Sequence, residues 1–209
     1  ISDVEIGAPP GSGQFGARAK TVAVELSWLA ALSRRVEIKA LKIDTAEIEL
    51  AEDSSGYWFP DALEERISPG IAMARKALSD DPESPDFSAI ADWNIRNVAL
   101  TNTRIRLVGK SGDVNSISDL NAELGWPGNN MPVLLSGSGN WRGAKVNLVT
   151  TVREPLMAVA GGNTEFTTRL DSEPVKFEFD GVANLRNFFF TDGKLRFETP
   201  SMEKLLRWI

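Results

Sequence analysis

Apolar and polar residues alternate along several segments of this chain, as they do in strands that bury one side and expose the other. The segment TVAVEL is the first clear case, with Val22, Val24 and Leu26 spaced two residues apart. In residues 36–50 β-branched residues recur among charged ones, but the alternation slips by one residue twice. Such slips indicate a long strand with β-bulges, or two strands that are tightly joined.

Strand-like segments continue through the second half of the chain. They are WNIRNVALTNTRIRL, VNLVTTV, TEFTTRL, VKFEF and KLRFE, and the turn-rich pieces among them are GKSGD, PGNN, GSGN, AGGN and TDG. Because such short connections join antiparallel neighbours, the sequence predicts a mainly β fold with minor α content. The expected architecture is a curved antiparallel β-meander that forms a groove-like sheet.

One insert interrupts the β pattern. A helix is predicted over residues 60–79, with Asp61 as its N-cap and Glu64 at the capping-box position. The Ser-Pro-Gly sequence at 68–70 is expected to break or restart this helix. A polar loop, SDDPESPD, then completes an insert of residues 60–86.

A second helix is predicted at the end of the chain, where Ser201 is the expected cap and residues 202–209 carry apolar side chains at helical spacing. That apolar face is still continuing at Ile209, and the chain starts with Ile1 instead of methionine. We therefore expect residues 1–209 to be one β-rich module from a longer protein.

The β-rich segments contain an internal similarity. Residues 36–50 align without gaps on residues 93–107 at an offset of 57, with the same apolar spacing. The identical pairs are Ile38/Ile95, Ile48/Ile105 and Leu50/Leu107. Two copies of one strand unit predict a repeating sheet, and the alternative is that two bulged strands arose independently.

Composition excludes several kinds of chemistry. Lys and Arg total 23 against 29 Asp and Glu, which gives a net charge of −6, and the chain has no histidine and no cysteine. Histidine- or cysteine-based nucleophile systems and Cys/His zinc sites are therefore excluded. Scattered basic residues in an acidic chain do not favour nucleic-acid binding. No cofactor or metal is predicted, and no apolar run reaches the roughly 18 to 20 residues of a membrane span.

Three local motifs favour loops over ligand sites. The G-x-G-x-x-G sequence at 11–16 follows two prolines and leads into a strand, so it lacks the helix that a dinucleotide site needs. After Asp113 and Asn115 the next calcium-ligand position holds Ile117. A further acidic cluster lacks the order of a calcium loop and consists of Asp80, Asp81, Glu83 and Asp86.

Six tryptophans lie at strand edges or beside turns, namely Trp28, Trp58, Trp93, Trp126, Trp141 and Trp208. Sugar stacking and contact with a lipid interface are the functional interpretations. Packing over the ends of a sheet is the more common role of such residues.

Part of the sequence resembles a known family. The run VEIKALKIDTAEIELAEDSSGYWF is similar to the signature of AsmA-like proteins of Gram-negative bacteria, in which a strand pair I-x-x-L-x-I…I-x-L precedes a glycine and an aromatic pair. The segments GSGNWRG, VKFEFDG and DGKLRFETPSMEKLLRWI also resemble parts of such proteins. The resemblance covers most of residues 20–209. The chain departs from the family in lacking an N-terminal membrane helix and in carrying the helical insert.

The resemblance implies a non-enzymatic periplasmic protein whose full-length form is anchored in the inner membrane. It implies a role in outer-membrane biogenesis through transport or shielding of phospholipid or another envelope lipid between the two membranes. Envelope proteins are further implied partners. The family provides no catalytic residue to transfer to this chain.

Inward-facing strand positions are the expected lining of such a lipid groove. The candidates are Ile38, Ile43, Ile48, Ile95, Leu100, Ile105, Val146, Leu148, Phe177 and Phe179, together with Val175. The alternative is that these residues pack against the helices at 60–79 and 201–209.

Two further functions stay open. A scaffold that assists outer-membrane protein assembly would use exposed strand edges. A carboxylate-based, carbohydrate-active enzyme would need two acids facing each other across a cleft. The sequence favours this enzyme least, because many acids alternate with apolar residues in strands, as Glu47 and Glu178 do.

Overall fold

The computed structural model describes residues 1–7, 15–27, 38–52, 61–90, 95–184 and 189–208, and for residues 61–68, 95 and 189 it describes the backbone alone. Most of the glycine-rich motif at 11–16 lies outside the described residues, as do Trp28, Trp58 and Trp93.

Among the described residues ten strands form one sheet in which the strand order follows the chain, so β1 and β10 are the edges of this ten-stranded sheet. The strands are β1 (Ser2–Gly7), β2 (Gly16–Leu26), β3 (Ile38–Ala51), β4 (Ile95–Val108), β5 (Val114–Gly125), β6 (Val133–Trp141), β7 (Ala144–Val152), β8 (Thr164–Ser172), β9 (Lys176–Asn184) and β10 (Phe189–Glu198). The predicted mainly β meander is confirmed.

One pair departs from the antiparallel prediction, because β3 and β4 are parallel. The helical insert accounts for this, since a parallel neighbour requires a long crossover connection. The two strands pair at a constant offset of 57, from Ile38 opposite Ile95 to Ala51 opposite Val108. The two similar segments found in the sequence therefore lie side by side in register.

In the described part of the chain three helices accompany the sheet: α1 (Asp61–Asp80), α2 (Pro155–Ala160) and α3 (Met202–Trp208). The predicted break at 68–70 is wrong, because α1 continues through Pro69. A proline lacks one N–H group, and the remaining hydrogen bonds of a long helix can outweigh that loss. In α3 the predicted cap is confirmed, since the Ser201 hydroxyl accepts the backbone N–H of Lys204 at 3.3 Å. In the part of the chain that is described, no helix is long and apolar enough to cross a membrane.

A line of irregular residues crosses the first five strands and is called the crease here. It consists of Asp3, Lys20, Thr45, Asn102 and Asp119, and all of these except Lys20 have φ between 48° and 54°. An extra residue in a strand bends it and shifts the alternation by one. The slip predicted near the middle of residues 36–50 is confirmed at Thr45. The other slip is confirmed by the register shift between Glu25 and Leu26 of β2, opposite the start of β3.

Two predicted turns are strands instead. The GSGN sequence at 137–140 lies inside β6, and the TDG sequence at 191–193 lies inside β10 beside a register shift. The glycines in β6 have a packing reason. A Cβ on Gly137 would lie 2.9 Å from the Asn121 carbonyl oxygen of β5, so only glycine fits between the two strands without displacement.

A small core joins the helices at one rim of the sheet. Ala74 of α1, Ile90 of the following segment, and Leu156 and Ala160 of α2 are buried together. Leu78, Phe87 and Trp126 pack around them. None of the candidate groove residues belongs to this cluster. The cluster therefore does not support the alternative that the helix at 60–79 packs against the candidate groove residues.

Candidate functional site: an apolar sheet face with a cavity beneath Trp208

One face of the sheet is apolar along a row that crosses nine strands. Residues paired on neighbouring strands project from the same face, so the strand register defines this row directly. From β2 to β10 its members are Val22, Ile43, Leu100, Ala122, Gly137, Leu148, Leu170, Phe177 and Phe197. None of the nine residues is polar.

Parallel rows extend this face on both sides. Towards the rim that carries α2 the row is Val24, Leu41, Val98, Leu124, Leu135, Thr150, Thr168, Phe179 and Leu195. The hydroxyls of its two threonines bond to each other at 2.9 Å. Towards the opposite rim the row is Ile6, Ala17, Ile48, Ile105, Ile117 and Trp141. We call the three rows together the apolar face.

The crease explains how residues five apart can share this face. Ile43 and Ile48 would point to opposite sides of a regular strand. Thr45 adds one residue between them, so Ile43 aligns with Leu100 and Ile48 aligns with Ile105. Leu100 and the partner of Ile105, Ile117, line the same cavity, which places both pairs on one side of the sheet.

The structure brings seven of the ten candidate groove residues onto the apolar face, and an eighth, Val146, lines the cavity beside the rows. The seven are Ile43, Ile48, Leu100, Ile105, Leu148, Phe177 and Phe179. The other two, Ile38 and Ile95, pair with each other at the start of β3 and β4. They lie beyond the register shift between Glu25 and Leu26 and belong to none of the three rows. Val175 is buried just before β9. That these residues bind lipid stays a prediction.

Much of the apolar face is accessible to solvent. Leu195 and Phe197 of β10 expose 64% and 48% of their surface, and Val24 of β2 exposes 42%. Phe179 is buried, at 5%, in an aromatic cluster with Phe166 and Phe190, whose ring centroids lie 6.1 and 4.4 Å away. A sheet face this apolar normally packs against another layer.

A cavity of about 470 Å³ lies on the apolar face over β4–β8. Trp208 of α3 lines it, and its indole N–H donates to the Trp141 carbonyl oxygen at 3.0 Å. Here the strand residues pack against the C-terminal helix and also line a groove, so the two alternatives from the sequence are both met in this part of the face. The lining is Leu100, Ile117, Leu120, Ala122, Leu135, Ser136, Gly137, Ser138, Gly139, Trp141, Val146, Leu148, Leu170 and Trp208.

Several of these lining residues were missed in the sequence, chiefly those of β5 and β6. The signal was present in β6, where Val133, Leu135, Gly137, Gly139 and Trp141 alternate with other residues. Glycines at two of those positions resembled a turn. In the structure Gly137 lies between Ala122 and Leu148, and Gly139 lies opposite Val146, so the lining of the cavity has no side chain at these two positions.

The other face of the sheet is charged, and its charges pair across strands. Arg104 contacts Glu47 at 3.9 Å, and Glu178 lies between Arg169 and Arg196 at 3.2 and 3.5 Å. A hollow at the crease on this face contains Glu5, Glu47 and Asp119 among its acids. The Glu5 carboxylate contacts Arg18 and the Glu47 carboxylate contacts Arg104, so both of these acids are held in ion pairs.

Asp44 beside the crease is held ionised. Its pKa lies below the ordinary value of an aspartate, first because the Thr101 hydroxyl donates to it at 2.5 Å and then because the Thr45 hydroxyl does so at 3.0 Å. A carboxylate with a lowered pKa is a poor general acid near neutral pH.

The acidic loop after α1 is organised by its own backbone. Asp81 accepts the N–H groups of Glu83 and Ser84 at 3.2 and 3.0 Å, and Asp86 accepts that of Ser88 at 2.8 Å. That last bond, with the Ser88 side chain, lowers the pKa of Asp86. Among the described residues no group of three or more acidic side chains is arranged to hold a metal ion.

Comparison of the chain with protein-family models, with curated proteins and with solved structures finds no match. The resemblance to AsmA-like proteins therefore remains a hypothesis from the sequence. The fold and the site define a single-sheet β protein with one extended apolar face, and the functional argument rests on that face.

Proposed function

We propose that this chain is a non-enzymatic, AsmA-like periplasmic module that shields or carries the alkyl chains of phospholipid or another envelope lipid along its apolar face. The observation that carries the proposal is the unbroken apolar row from Val22 of β2 to Phe197 of β10. The assignments to outer-membrane biogenesis and to an inner-membrane anchor in the full-length protein come from the AsmA-like resemblance.

Energetics favour such a surface for lipid. Exposing an alkyl chain to water costs about 0.8 kcal/mol per methylene, so a long acyl chain costs on the order of 10 kcal/mol. A face that replaces water along the whole chain can offset most of that cost. The apolar face supplies aliphatic and aromatic side chains over nine adjacent strands.

The rows also extend to the edge strands of the sheet. Leu195 and Phe197 lie on β10, and Ile6 on β1 exposes 59% of its surface. A lipid chain lying across the strands would therefore meet apolar side chains up to either edge. This arrangement favours movement along the face over binding in an enclosed pocket.

Lipid uptake by a pair of neighbouring variants tests the proposal. Leu148 lies on the apolar face, whereas the next residue, Val149, projects from the opposite side and is exposed. Leu148→Asp places an unpaired carboxylate against the alkyl chain, and we expect about tenfold less bound lipid, or a larger loss. The measurement is native mass spectrometry after incubation with phosphatidylethanolamine and phosphatidylglycerol vesicles.

Val149→Asp is the matched control, because it adds the same charge one residue away on the solvent side. We expect it to retain the lipid uptake of the unmodified protein. Urea denaturation of both variants checks that each one folds. Equal uptake by the two folded variants, or no uptake by the unmodified protein, would contradict the proposal.

An exposed sheet edge favours a second candidate, the scaffold for outer-membrane protein assembly. Every residue from Phe190 to Glu198 of β10 is exposed, and β9 is its neighbour in the sheet order. A strand of another protein could pair with this edge. A photocrosslinker at Leu195 that traps one defined envelope protein, in protein without lipid, would favour this function. Crosslinks to lipid alone would count against it.

A further inference from the structure

The two edge strands of the described sheet, β1 and β10, run in the same direction, because eight of its nine strand pairs are antiparallel and one is parallel. A second copy of the chain, placed beside the first with its apolar face on the same side, would bring its β1 against β10 as a parallel neighbour. Both edges are accessible, since β1 is exposed except for the half-buried Val4 and residues 190–198 of β10 are exposed. The free backbone groups of an edge strand can pair with a further strand.

One parallel register matches the two edges over six residues. It uses the whole of β1 and the last six residues of β10, which lie beyond the register shift of that strand. On one face apolar residues meet apolar residues, and on the other face acids meet bases. The partners are Ser2/Gly193, Asp3/Lys194, Val4/Leu195, Glu5/Arg196, Ile6/Phe197 and Gly7/Glu198.

On the charged face, residues of alternating sign lead up to the β10 edge. Arg169 of β8 contacts Glu178 of β9 at 3.2 Å, and Arg196 of β10 contacts the same carboxylate at 3.5 Å. The three residues are direct neighbours in the strand register. This series therefore ends on a base at the edge of the sheet.

A second series of alternating sign leads up to the β1 edge. Glu5 of β1 contacts Arg18 of β2 at 2.5 Å. Arg18 lies opposite Glu47 of β3, which contacts Arg104 of β4 at 3.9 Å. This series ends on an acid at its edge. Joining the edges in the matched register unites the two series into one alternating row over seven strands, Arg169, Glu178, Arg196, Glu5, Arg18, Glu47 and Arg104.

Lys194 and Asp3 would form a further pair across the joined edges. Neither residue has an ion-pair partner among the residues that the structure describes. Lys194 lies opposite Asp180 of β9 in the register, and Asp3 lines the hollow at the crease with Lys20. Opposite charges on directly paired residues stabilise a sheet, whereas like charges there destabilise it. The matched register therefore continues the alternation of sign at this position too.

Pairing between two identical edges is less favourable. Two β1 strands that keep their apolar faces on one side would place acid against acid, because Asp3 and Glu5 are the charged residues of β1. Two antiparallel β10 strands in the register that brings Lys194 to Glu198 would place Arg196 against Arg196 of the other copy. The charges thus favour contact between unlike edges.

We propose that copies of this chain associate head to tail, with β1 of one copy pairing in parallel with β10 of the next. Such a heterologous contact leaves a free edge at each end, so it can be repeated. It also joins the apolar faces, because the central row that ends at Phe197 of one copy continues at Ile6 of the next. This association does not require a bound lipid.

Sedimentation equilibrium of the unmodified protein measures this association. Six paired residues bury less surface than a standard stable interface, so we expect the weight-average mass to rise with protein concentration between about 10 and 500 µM. Because the contact is head to tail, the mass should exceed that of a dimer at the highest concentrations. A mass that stays at the monomer, or that stops at the dimer, overturns the proposal.

Charge reversal at each edge tests the register. Lys194→Glu and Asp3→Lys each place like charges opposite each other, and we expect each variant alone to associate about tenfold more weakly. In an equimolar mixture of the two, every contact between unlike copies is complementary, so most of the association should return. If the mixture shows no recovery, or if Asp3→Lys associates as the unmodified protein does, the β1–β10 register is wrong.

Two more variants control for net charge and for folding. Lys145→Glu makes the same charge change on the interior strand β7 and should leave association unchanged. Asp3 has φ of 54°, which asparagine tolerates, so Asp3→Asn removes the charge without a strained conformation and should also weaken association. Urea denaturation checks that each variant folds. Equal weakening by Lys145→Glu and Lys194→Glu would overturn the role of the edges, because net charge alone would then explain the effect.

Discussion

Thr45 carries an unusual backbone conformation for a β-branched residue. Its φ is 53°, in the left-handed region that glycine, asparagine and aspartate enter more easily. Its counterpart at the same offset in β4 is Asn102, with φ of 48°. The two strands thus make the same irregularity with different residues, and only one of those residues suits it well.

Replacing each of these two residues by the other, in two separate variants, should change the stability of the protein in opposite directions. Thr45→Asn should raise the free energy of unfolding by less than about 1 kcal/mol, because asparagine tolerates the left-handed region better than threonine but the 3.0 Å hydrogen bond from the Thr45 hydroxyl to Asp44 is lost. Asn102→Thr should lower it by a similar or larger amount, since it also removes a 3.4 Å hydrogen bond to Asp44. Urea denaturation midpoints measure both changes. A loss of stability in Thr45→Asn would indicate that the crease does not require this conformation.

At the scale of single elements, hydrophobic spacing was a good guide in β2–β4 and β7–β10. It missed β5, although that strand carries Ile117, Leu120 and Leu124. The five-residue step from Ile43 to Ile48 indicated a bulge, and the structure has one at Thr45. The offset of 57 between two similar segments is the register of β3 on β4. The parallel direction of that pair was not evident, because it depends on where the crossover through α1 returns the chain.

Spacing was a poor guide where small residues fill strand positions. The glycines of β6 resembled a turn, since the sequence does not reveal that the backbone of β5 lies too close for a side chain. The cavity was missed for the same reason. Its lining includes Gly137, Gly139 and Trp208, and the register of five strands brings the strand residues of the lining together.

The close approach of β5 and β6 predicts a strong effect at one glycine and a weak one at another. A Cβ at Gly137 would meet the Asn121 oxygen at 2.9 Å and the Ala122 Cβ at 3.0 Å. Gly137→Ala should therefore lower the free energy of unfolding by about 1–3 kcal/mol. Gly125 of β5 has open space at its Cβ position, so Gly125→Ala should be neutral or slightly stabilising. Chemical denaturation compares the two, and similar losses at both positions would contradict this packing.

At the scale of the whole molecule, the sheet has two unlike sides. On β7, Leu148 lies on the apolar face and Val149 on the other side, and on β8 the same holds for Leu170 and Arg169. The charged side is held by cross-strand pairs such as Arg169 with Glu178. The apolar face and its cavity together support the proposal of a protein that acts by offering an apolar surface to lipid.

Photocrosslinking with a lipid that carries a diazirine in its alkyl chain tests this central claim most directly. Adjacent residues on opposite faces serve as internal controls within one experiment. The account predicts labelling of Leu100, Leu148 and Leu170 and little labelling of their neighbours Ala99, Val149 and Arg169, as mapped by mass spectrometry. Equal labelling of the two faces, or labelling confined to the charged face, would contradict it.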